Sequence, residues 1–251
     1  MNFAVVVPAR LASTRLPRKL LQYLAGKPLL QWTWEAARAC GARTVIIATD
    51  SAEIVEVCRG FGADVRLTAA THNSGTDRVN EIAAAEAWSD DAVVVNLQGD
   101  EPLMPPALVR QAAQLLVDDA EADIATLAHP LHTREDWLNP TVVKVVLDEQ
   151  GRAQYFSRAP IPWKRVGSEP ISPLPEGLAL RHVGLYAYRV GALRRFSALP
   201  ATALEDCEAL EQLRALGRGM RIRVGVIETA PPRGVDTEAD LQAVRSMLST
   251  G

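Results

Sequence analysis

Short apolar runs rich in β-branched residues alternate along the chain with stretches of helical periodicity. Runs such as "VVVP", "TVIIAT" and "AVVVNL" are almost continuously apolar, which is typical of strands covered on both faces. Strands are predicted over residues 4–8, 44–49, 93–97, 124–128, 142–147, 180–188 and 221–226. Helices are predicted over residues 28–40, 51–61, 76–88, 105–119, 205–216 and 237–248. The alternation predicts βαβ units, and hence an α/β fold with a mainly parallel sheet covered by helices.

The second half of the chain departs from this rhythm. Its segment "APIPWKRVGSEPISPLPEG", residues 159–177, is too rich in proline and glycine to form a regular element. It separates two strand-like runs, "AQYFSR" and "LALRHVGLYAYR", which we expect to pair as an antiparallel arm or to bear a lid. No linker-like composition divides the chain, so we predict one domain over residues 1–251 with an antiparallel elaboration in its C-terminal part.

Composition and charge exclude several classes of protein. The chain has 27 Lys and Arg against 30 Asp and Glu, and this formal charge of −3 argues against nucleic acid as a partner. The three cysteines are far apart and form no CxxC motif, so neither a disulfide framework nor a zinc site is expected. No apolar run approaches the ~20 residues that span a bilayer, and no signal-peptide pattern is found. We therefore expect a cytoplasmic protein without membrane insertion.

A cationic loop follows the first predicted strand. In "ARLASTRLPRKL" the side chains of Arg10, Arg15, Arg18 and Lys19 have no carboxylate among them. Forked arginine donors and a lysine point charge suit the oxygens of a triphosphate, although neither GxxxxGK[ST] nor GxGxxG is present. The alternative interpretation is a solvated surface loop whose cations pair with nearby acids.

Two carboxylates are predicted to lie at the same edge of the sheet as this loop. Asp100 in "NLQGDEP" follows a predicted strand, and Asp236 in "GVDTEAD" directly precedes the last predicted helix. Ligands of open α/β sheets bind at the carboxyl ends of the strands, and Mg²⁺ is commonly held there by one or two carboxylates and substrate phosphates. The nearby Gln98 amide could bind the edge of a base or a ribose. The alternatives are a turn that closes the strand for Asp100 and a helix N-cap for Asp236.

The loop "HNSGTDR" leads into a predicted helix and supplies another candidate anion or base site. Thr76, Arg78 and the amide groups of the first helical turn are the candidate ligands. The alternative is a capped helix start with an exposed arginine.

Two polar groups in the second half are candidates for a wet pocket. His182, Gly184 and Tyr186 alternate in "RHVGLYAYR", so they are expected on one face of a strand. In "EALEQLR", Glu211 and Gln212 lie among leucines of the helix predicted over 205–216, where a solvated helix surface is the alternative.

Seven motifs together, in their order along the chain, resemble one family. They are "PARLASTRLPRKLL", "HNSGTDR", "NLQGDEP", "YFSR", "HVGLYAYR", "LEQLR" and "GVDT". From residue 4 to about residue 240 the chain resembles the 3-deoxy-manno-octulosonate cytidylyltransferases, or CMP-Kdo synthetases. The resemblance implies a Rossmann-like nucleotidyltransferase fold, usually in a homodimer. It also implies transfer of CMP from CTP to the anomeric 2-hydroxyl of 3-deoxy-D-manno-octulosonate (Kdo), with release of pyrophosphate, for lipopolysaccharide biosynthesis.

The same resemblance implies roles for individual residues. The residues implied for the triphosphate are Arg10, Arg15 and Lys19. Those implied for the cytidine side are Arg78 and Gln98, with Asp100 beside them. The implied Mg²⁺ ligands are Asp100 and Asp236, which with Lys19 and Arg15 form the implied catalytic set. The residues implied for Kdo are Arg158, His182, Tyr186, Glu211 and Gln212.

The cationic loop departs from the family pattern "STRLPGKPL". Here Arg18 replaces the glycine and Leu20 replaces the second proline. We expect that the position of Arg18 does not require a positive φ or that the loop path differs locally, with the side chain contacting phosphate or facing solvent. Two alternative functions are a cytidylyltransferase for another 2-keto sugar acid, such as a sialic acid, and a non-catalytic nucleotide-binding module.

Overall fold

The apolar runs that begin the chain form the centre of one mixed sheet. The computed structural model describes residues 1–13, 15–163, 165 and 177–249. The strands are β1 Phe3–Ala9, β2 Tyr23–Leu24, β3 Lys27–Pro28, β4 Thr44–Thr49, β5 Asp64–Leu67, β6 Val93–Asn96, β7 Ile124–Pro130, β8 Lys144–Leu147, β9 Ala153–Ser157, β10 Leu180–Arg189 and β11 Ile222–Val226. The α-helices are α1 Leu29–Ala39, α2 Ala52–Gly60, α3 Gly75–Ala85, α4 Pro106–Asp118, α5 Arg134–Leu138, α6 Val190–Ala198, α7 Ala203–Glu208, α8 Gln212–Gly217 and α9 Glu238–Ser249, and a 3₁₀ turn spans Lys19–Leu21.

Within the described residues, nine strands form this sheet, and β2 and β3 form a separate hairpin. The main order is β11-β7-β10-β6-β1-β4-β5, with β8 pairing with the start of β10 and β9 pairing with β8. Strand β1 pairs in parallel with β4 and β6, and β7 pairs in parallel with β11. Strand β10 runs antiparallel to both of its neighbours, β6 and β7. The predicted α/β class, a mixed sheet covered by helices with an antiparallel elaboration, is confirmed, although in this sheet antiparallel strand pairs are as many as parallel ones among the described residues.

Helices cover both faces of the sheet, as the continuous apolarity of its central strands requires. On one face Val5 and Val7 of β1 pack into a core with α1, α2, α4 and α9. On the other face Ala4 and Val6 pack into a core with α3, α6 and α8. The residues that follow β1 and β6 therefore emerge at one edge of the sheet, where ligands of α/β proteins bind. None of the helices in the described part of the chain is long and apolar enough to span a lipid bilayer.

The prediction of one continuous helix over 205–216 is wrong. Ala209 takes a left-handed conformation with φ 49°, which separates α7 from α8. The Glu208 carboxylate accepts hydrogen bonds from the Ser157 hydroxyl at 2.6 Å and the Arg158 amide at 2.8 Å. These long-range bonds tie the end of α7 to β9, and a local periodicity cannot reveal them. As a result Glu211 lies in the turn before α8 instead of on a helix surface.

The expected pairing of "AQYFSR" with "LALRHVGLYAYR" also needs correction. The first run forms β9, which pairs with β8, and β8 in turn pairs with β10. The antiparallel arm therefore contains three strands with β8 in the middle. Most of the proline-rich loop predicted over 159–177 lies outside the described residues. Sequence periodicity also does not predict the exposed edge strand β5 or the helices α5 and α6.

Candidate active site

Backbone hydrogen bonds bring three distant segments together at the carboxyl edge of the sheet. The Gly99 amide donates to the Pro8 carbonyl at 3.2 Å, and the Val235 amide donates to the Asp100 carbonyl at 2.8 Å. Gly99 is needed for this approach because a Cβ there would lie 2.9 Å from the Pro8 carbonyl oxygen. The cationic loop, the segment after β6 and the segment before α9 therefore meet at one place.

Lys19 lies between the two predicted carboxylates. Its Nζ donates to Asp100 Oδ2 at 2.6 Å and to Asp236 Oδ1 at 3.1 Å. Arg15 Nη2 approaches the same Asp236 oxygen at 3.1 Å. Burial lowers the pKa of Lys19, but the charges and hydrogen bonds of the two carboxylates outweigh burial, and the net pKa is raised. Lys19 is therefore a cation held in place by opposite charges.

Two adjacent clefts open at this edge and share Gln98 and Asp100. The loop cleft, of about 280 Å³, is lined by Arg10, Ser13, Lys19, Asn73, Ser74 and Gly75 in addition to the two shared residues. The strand cleft, of about 500 Å³, is lined by residues that include Arg15, Glu101, Arg181, His182, Arg233 and Asp236. Seven of the predicted site residues therefore line these clefts, namely Arg10, Arg15, Lys19, Gln98, Asp100, His182 and Asp236.

Arg10, which lines the loop cleft, has an unpaired donor. Its Nη2 is buried and has no hydrogen-bond partner among the described residues. Burial and the nearby Arg78 charge lower the pKa of the guanidinium. A buried cationic donor without a partner is costly, and an anion bound in the cleft would satisfy it.

Arg18 keeps the backbone conformation expected of the family glycine. Its φ is 54°, so the expectation that an arginine here removes the need for a positive φ is wrong, and the backbone takes the strained left-handed conformation instead. The side chain forms an ion pair with Glu53 of α2 at the surface. Arg18 is thus engaged outside both clefts.

Two other predicted arginines are also engaged elsewhere. Arg78 is 1% exposed and donates to the Thr68 hydroxyl at 2.7 Å, to a backbone carbonyl and to the Asp50 carboxylate. Arg158 donates through Nε to the Glu208 carbonyl at 2.6 Å, and its two terminal nitrogens donate to two further backbone carbonyls. Neither residue is among those that line the loop cleft or the strand cleft. Their local contacts hold loops that border the site.

The aromatic residues of β10 stack along the face of the sheet that packs against α3. The His182 ring contacts Tyr186 at a centroid distance of 5.2 Å, and Tyr186 contacts Tyr188 at 6.0 Å. Burial and the Arg181 charge lower the pKa of His182 to about 3, so its ring is neutral, and Nε2 lies 2.9 Å from the Thr126 hydroxyl oxygen. Burial raises the pKa of Tyr186, which keeps its hydroxyl protonated as a hydrogen-bond donor.

Glu211 and Gln212 lie at the start of α8, close to the first turn of α3. The Thr76 hydroxyl donates to Glu211 Oε2 at 2.8 Å, while Glu211 Oε1 has no hydrogen-bond partner among the described residues and lies 3.7 Å from Arg214 Nη2 in an ion pair. Burial raises the pKa of Glu211, and the hydrogen bond from Thr76 opposes this shift. Gln212 is also buried, so neither residue belongs to a solvated helix surface.

Two residues of the strand cleft are not identified by the motif analysis. Glu101 follows Asp100 directly, and burial together with the Asp100 and Asp236 charges raises its pKa to about 8. Arg181 precedes His182, and burial together with Arg233 lowers its pKa. Each is adjacent in sequence to a predicted site residue, Asp100 or His182, and this adjacency is the signal that could have identified them. Sequence position alone does not show which neighbours of a motif line the cleft.

Asp100 and Asp236 are the residues that fit a divalent cation. Oxygens of both carboxylates lie within hydrogen-bond distance of the single ammonium nitrogen of Lys19, so they converge on one position. Burial raises the pKa of the neighbouring Glu101, and the negative charges of this pair add to that shift. Mg²⁺ is usually bound through only one or two carboxylates, with substrate phosphates completing its oxygen ligands.

An α/β sheet that gathers cations and carboxylates at the carboxyl edge of its parallel strands defines a class of nucleotide-binding protein. Comparison with known proteins narrows this class. A family model described as cytidylyltransferase matches residues 4–222. The chain belongs to the cytidylyltransferase family and, within it, to the 3-deoxy-manno-octulosonate cytidylyltransferases.

The relatives that support this membership match nearly the whole chain. The 3-deoxy-manno-octulosonate cytidylyltransferase of Pseudomonas fluorescens is 52% identical over 98% of this chain and 98% of its own length. The protein of the same name from Cellvibrio japonicus is 50% identical over 100% of both chains, and that from Thioalkalivibrio sulfidiphilus is 52% identical over 99% of both.

Two solved structures share the fold. The structure of CMP:2-keto-3-deoxy-manno-octonic acid synthetase complexed with CTP has a TM-score of 0.89 and 37% identity, covering 99% of this chain and 98% of that one. A cytidylyltransferase from Leptospira borgpetersenii has a TM-score of 0.61 at 14% identity, covering 100% of this chain and 87% of that one, and it supports the fold alone.

Proposed function

We propose that this protein transfers CMP from CTP to the anomeric 2-hydroxyl of Kdo and releases pyrophosphate. The observation that carries the proposal is the convergence of Lys19 with Asp100 and Asp236 beside Arg10 and Arg15. The full-length similarity to 3-deoxy-manno-octulosonate cytidylyltransferases supplies the substrates. The similarity to a synthetase solved with CTP supports the same nucleotide.

The chemical problem is the approach of two anions. Kdo carries a carboxylate and CTP a triphosphate, so their charges must be neutralised before the 2-oxygen can reach the α-phosphorus. Phosphoryl-type transfer needs positioning and charge stabilisation more than covalent chemistry from the protein. The two clefts meet at Gln98 and Asp100, so a nucleotide in the loop cleft and a sugar acid in the strand cleft would have their reacting groups adjacent.

Cationic side chains of the loop bind the triphosphate in this mechanism. The unpaired Nη2 of Arg10 binds a phosphate oxygen, and Lys19 and Arg15 neutralise the charge that develops on the departing pyrophosphate. Mg²⁺ would be held by Asp100 and Asp236, and when bound it supplies charge neutralisation and polarisation of the phosphate. Displacement in line with the leaving group then forms the bond from the 2-oxygen of Kdo to the α-phosphorus and breaks the bond from that phosphorus to the bridging oxygen, which leaves with pyrophosphate, while the 2-hydroxyl proton passes to solvent.

Kdo is held by polar side chains on and near β10. The neutral His182 and the protonated Tyr186 can each hydrogen-bond sugar hydroxyls, and Glu211 and Gln212 complete this wall. Arg158 was predicted to bind Kdo and Arg78 to bind the cytidine. We infer other roles for them, because their guanidinium groups already bind protein acceptors. We assign both arginines to holding the surrounding loops, and we assign the sugar carboxylate to the strand-cleft cation Arg181.

Three broader features belong to this proposal through the family resemblance. They are a homodimeric assembly, a cytoplasmic location and a role in lipopolysaccharide biosynthesis, and each stays a prediction.

A pyrophosphate-release assay tests the proposed function directly. Purified protein with Mg²⁺ is given CTP and Kdo, and parallel reactions replace Kdo by a sialic acid or CTP by UTP, ATP or GTP. We expect the highest kcat/KM with CTP and Kdo, and no release when EDTA removes the metal. Preference for sialic acid would favour the alternative sugar acid, and no release with any pair would favour a non-catalytic nucleotide-binding module.

A further inference from the structure

A continuous series of four polar side chains runs beneath the clefts, and we call it the polar relay. It begins at Glu211 and passes through Thr76 and Asn96 to Gln98. Thr76 donates to Glu211 at 2.8 Å, Asn96 Nδ2 donates to Thr76 at 3.5 Å, and Gln98 Nε2 donates to Asn96 Oδ1 at 3.1 Å. Thr76 is 3% exposed and Asn96 is 1% exposed, so water does not substitute for these partners.

Donor and acceptor counts fix the direction of the relay. A threonine hydroxyl has one proton and two lone pairs, and the Thr76 proton is used by Glu211. Thr76 can therefore only accept from Asn96, which requires the NH₂ group of Asn96 to face Thr76. The Asn96 carbonyl oxygen then faces Gln98 and accepts from its NH₂ group.

The result is a fixed orientation for the amide that both clefts share. With Nε2 of Gln98 bound to Asn96, its Oε1 is left as the available acceptor. A glycine lies beside this amide, and a Cβ at Gly75 would be 3.2 Å from Oε1. The relay therefore fixes where the amide carries its acceptor Oε1 and where its second Nε2 proton lies, so the two ends of the Gln98 amide cannot exchange places.

We propose that Thr76 and Asn96 are positioning residues which hold the Gln98 amide so that its carbonyl oxygen accepts a hydrogen bond from the nucleotide. The inference rests on the proposed function for the identity of that nucleotide, CTP. Two donors of CTP match an acceptor, namely the 4-amino group of cytosine and a ribose hydroxyl. Uracil has a carbonyl oxygen in place of the amino group, so an oriented acceptor would repel it.

A thermodynamic cycle on nucleotide affinity tests the relay. Calorimetry measures the Kd for CTP of the wild type, Asn96→Leu, Gln98→Ala and the double variant. Asn96→Leu is close in shape and cannot hydrogen-bond, so we expect a Kd about three- to tenfold weaker, as for one lost hydrogen bond. In the Gln98→Ala background the same change should cost less than twofold, because its effect acts through Gln98.

Matched variants separate this positioning role from general damage to the fold. Asn80→Leu makes the same chemical change on α3, where Asn80 Oδ1 is buried without a partner among the described residues, and should leave the Kd unchanged. If Asn96→Leu does not fold, Asn96→Ser takes its place, since serine keeps a polar group but is too short to bridge both neighbours. Thr76→Ser keeps the hydroxyl and should bind CTP with a Kd near that of the wild type, whereas Thr76→Val loses the hydroxyl and should bind CTP more weakly.

The cycle has clear contradicting results. If Asn96→Leu weakened CTP binding by the same factor in the wild-type and Gln98→Ala backgrounds, the relay would be overturned. It would also be overturned if neither Asn96→Leu nor Asn96→Ser changed the Kd for CTP. Titrations with UTP and 2′-deoxy-CTP identify the donor, because Gln98→Ala should reduce the preference for CTP over one of them. An equal effect on all three nucleotides would overturn the acceptor assignment. Pyrophosphate release by the wild type is measured separately. If Asn96→Leu and Gln98→Ala were coupled in CTP binding but the wild type released no pyrophosphate, the proposed function would be contradicted and the relay would still be supported.

Discussion

The buried carboxyl group of Glu101 should make the folded protein less stable as pH rises. Its pKa in the folded state is about 8, raised from 4.5 by burial and by the charges of Asp100 and Asp236. Below about pH 4.5 the group is protonated in both states. Between the two pKa values only the unfolded chain has lost the proton, so the contribution of Glu101 to stability is lost progressively as pH rises toward 8.

The magnitude follows from the size of the shift. One pKa unit corresponds to about 1.4 kcal/mol, so the full effect is about 5 kcal/mol at most and is reduced by whatever solvent reaches the cleft. Glu101→Gln keeps the shape of the side chain and removes its ionisation. The stability of the variant relative to wild type should therefore rise by about 2–3 kcal/mol between pH 5.5 and pH 7.5.

Urea unfolding followed by tryptophan fluorescence, in EDTA, measures this difference at the two pH values. Glu149→Gln provides the control, because Glu149 is exposed in a turn and its replacement should give the same small difference at both. A difference between Glu101→Gln and wild type that does not change with pH would refute the reasoning, as would one that falls as pH rises. Either result would mean that the Asp100 and Asp236 charges do not act on Glu101 as described.

Three other predictions follow from the site. Lys19→Met should lower kcat by about 10²–10³ in the pyrophosphate assay because a preorganised cation at the leaving group is lost, whereas Lys27→Met, in the hairpin, should change it less than threefold. Mg²⁺ should raise the Tm of the wild type in differential scanning fluorimetry but not that of a variant with Asp100→Asn and Asp236→Asn, and equal shifts would remove the proposed metal site. Arg18→Gly should melt about 2–4 °C above Arg18→Ala, since both lose the surface ion pair and only alanine keeps the cost of a positive φ of roughly 1 kcal/mol; equal Tm values would show that the backbone there is not strained.

Patterns that repeat along the chain predict most of the fold. The continuously apolar runs form central strands, and the helices α1, α2, α3, α4 and α9 begin and end within a few residues of the predicted bounds. The continuous helix predicted over 205–216 and the predicted direct pairing of β9 with β10 are both wrong, and in each case a long-range contact decides the local structure. Glu208 is fixed by Ser157 and Arg158, which ends α7, and β8 inserts between two runs that look complementary in sequence.

The carboxylates and Lys19 of the site could be predicted because each follows or precedes a predicted element at the sheet edge. Topology alone then brings Asp100, Asp236 and Lys19 together, as their distances show. The burial of a side chain and the charges around it cannot be predicted from the order of elements in this way. Glu101 carries the same carboxyl group as its neighbour Asp100, and burial, which its place in the sequence does not reveal, raises its pKa to about 8.

Arginines show most clearly why residue type does not determine a role at this site. Arg10 and Arg158 both occur just after or near the end of a strand, and both match family motifs. In the folded chain Arg158 gives its donors to three backbone carbonyls, whereas a buried nitrogen of Arg10 has no acceptor among the described residues. Because a guanidinium has a fixed number of donors, each bond to a carbonyl reduces what it can offer to a substrate. Arg10 therefore keeps a donor for an anion whereas the donors of Arg158 are taken, and only the three-dimensional pairing of donors with acceptors distinguishes these two arginines.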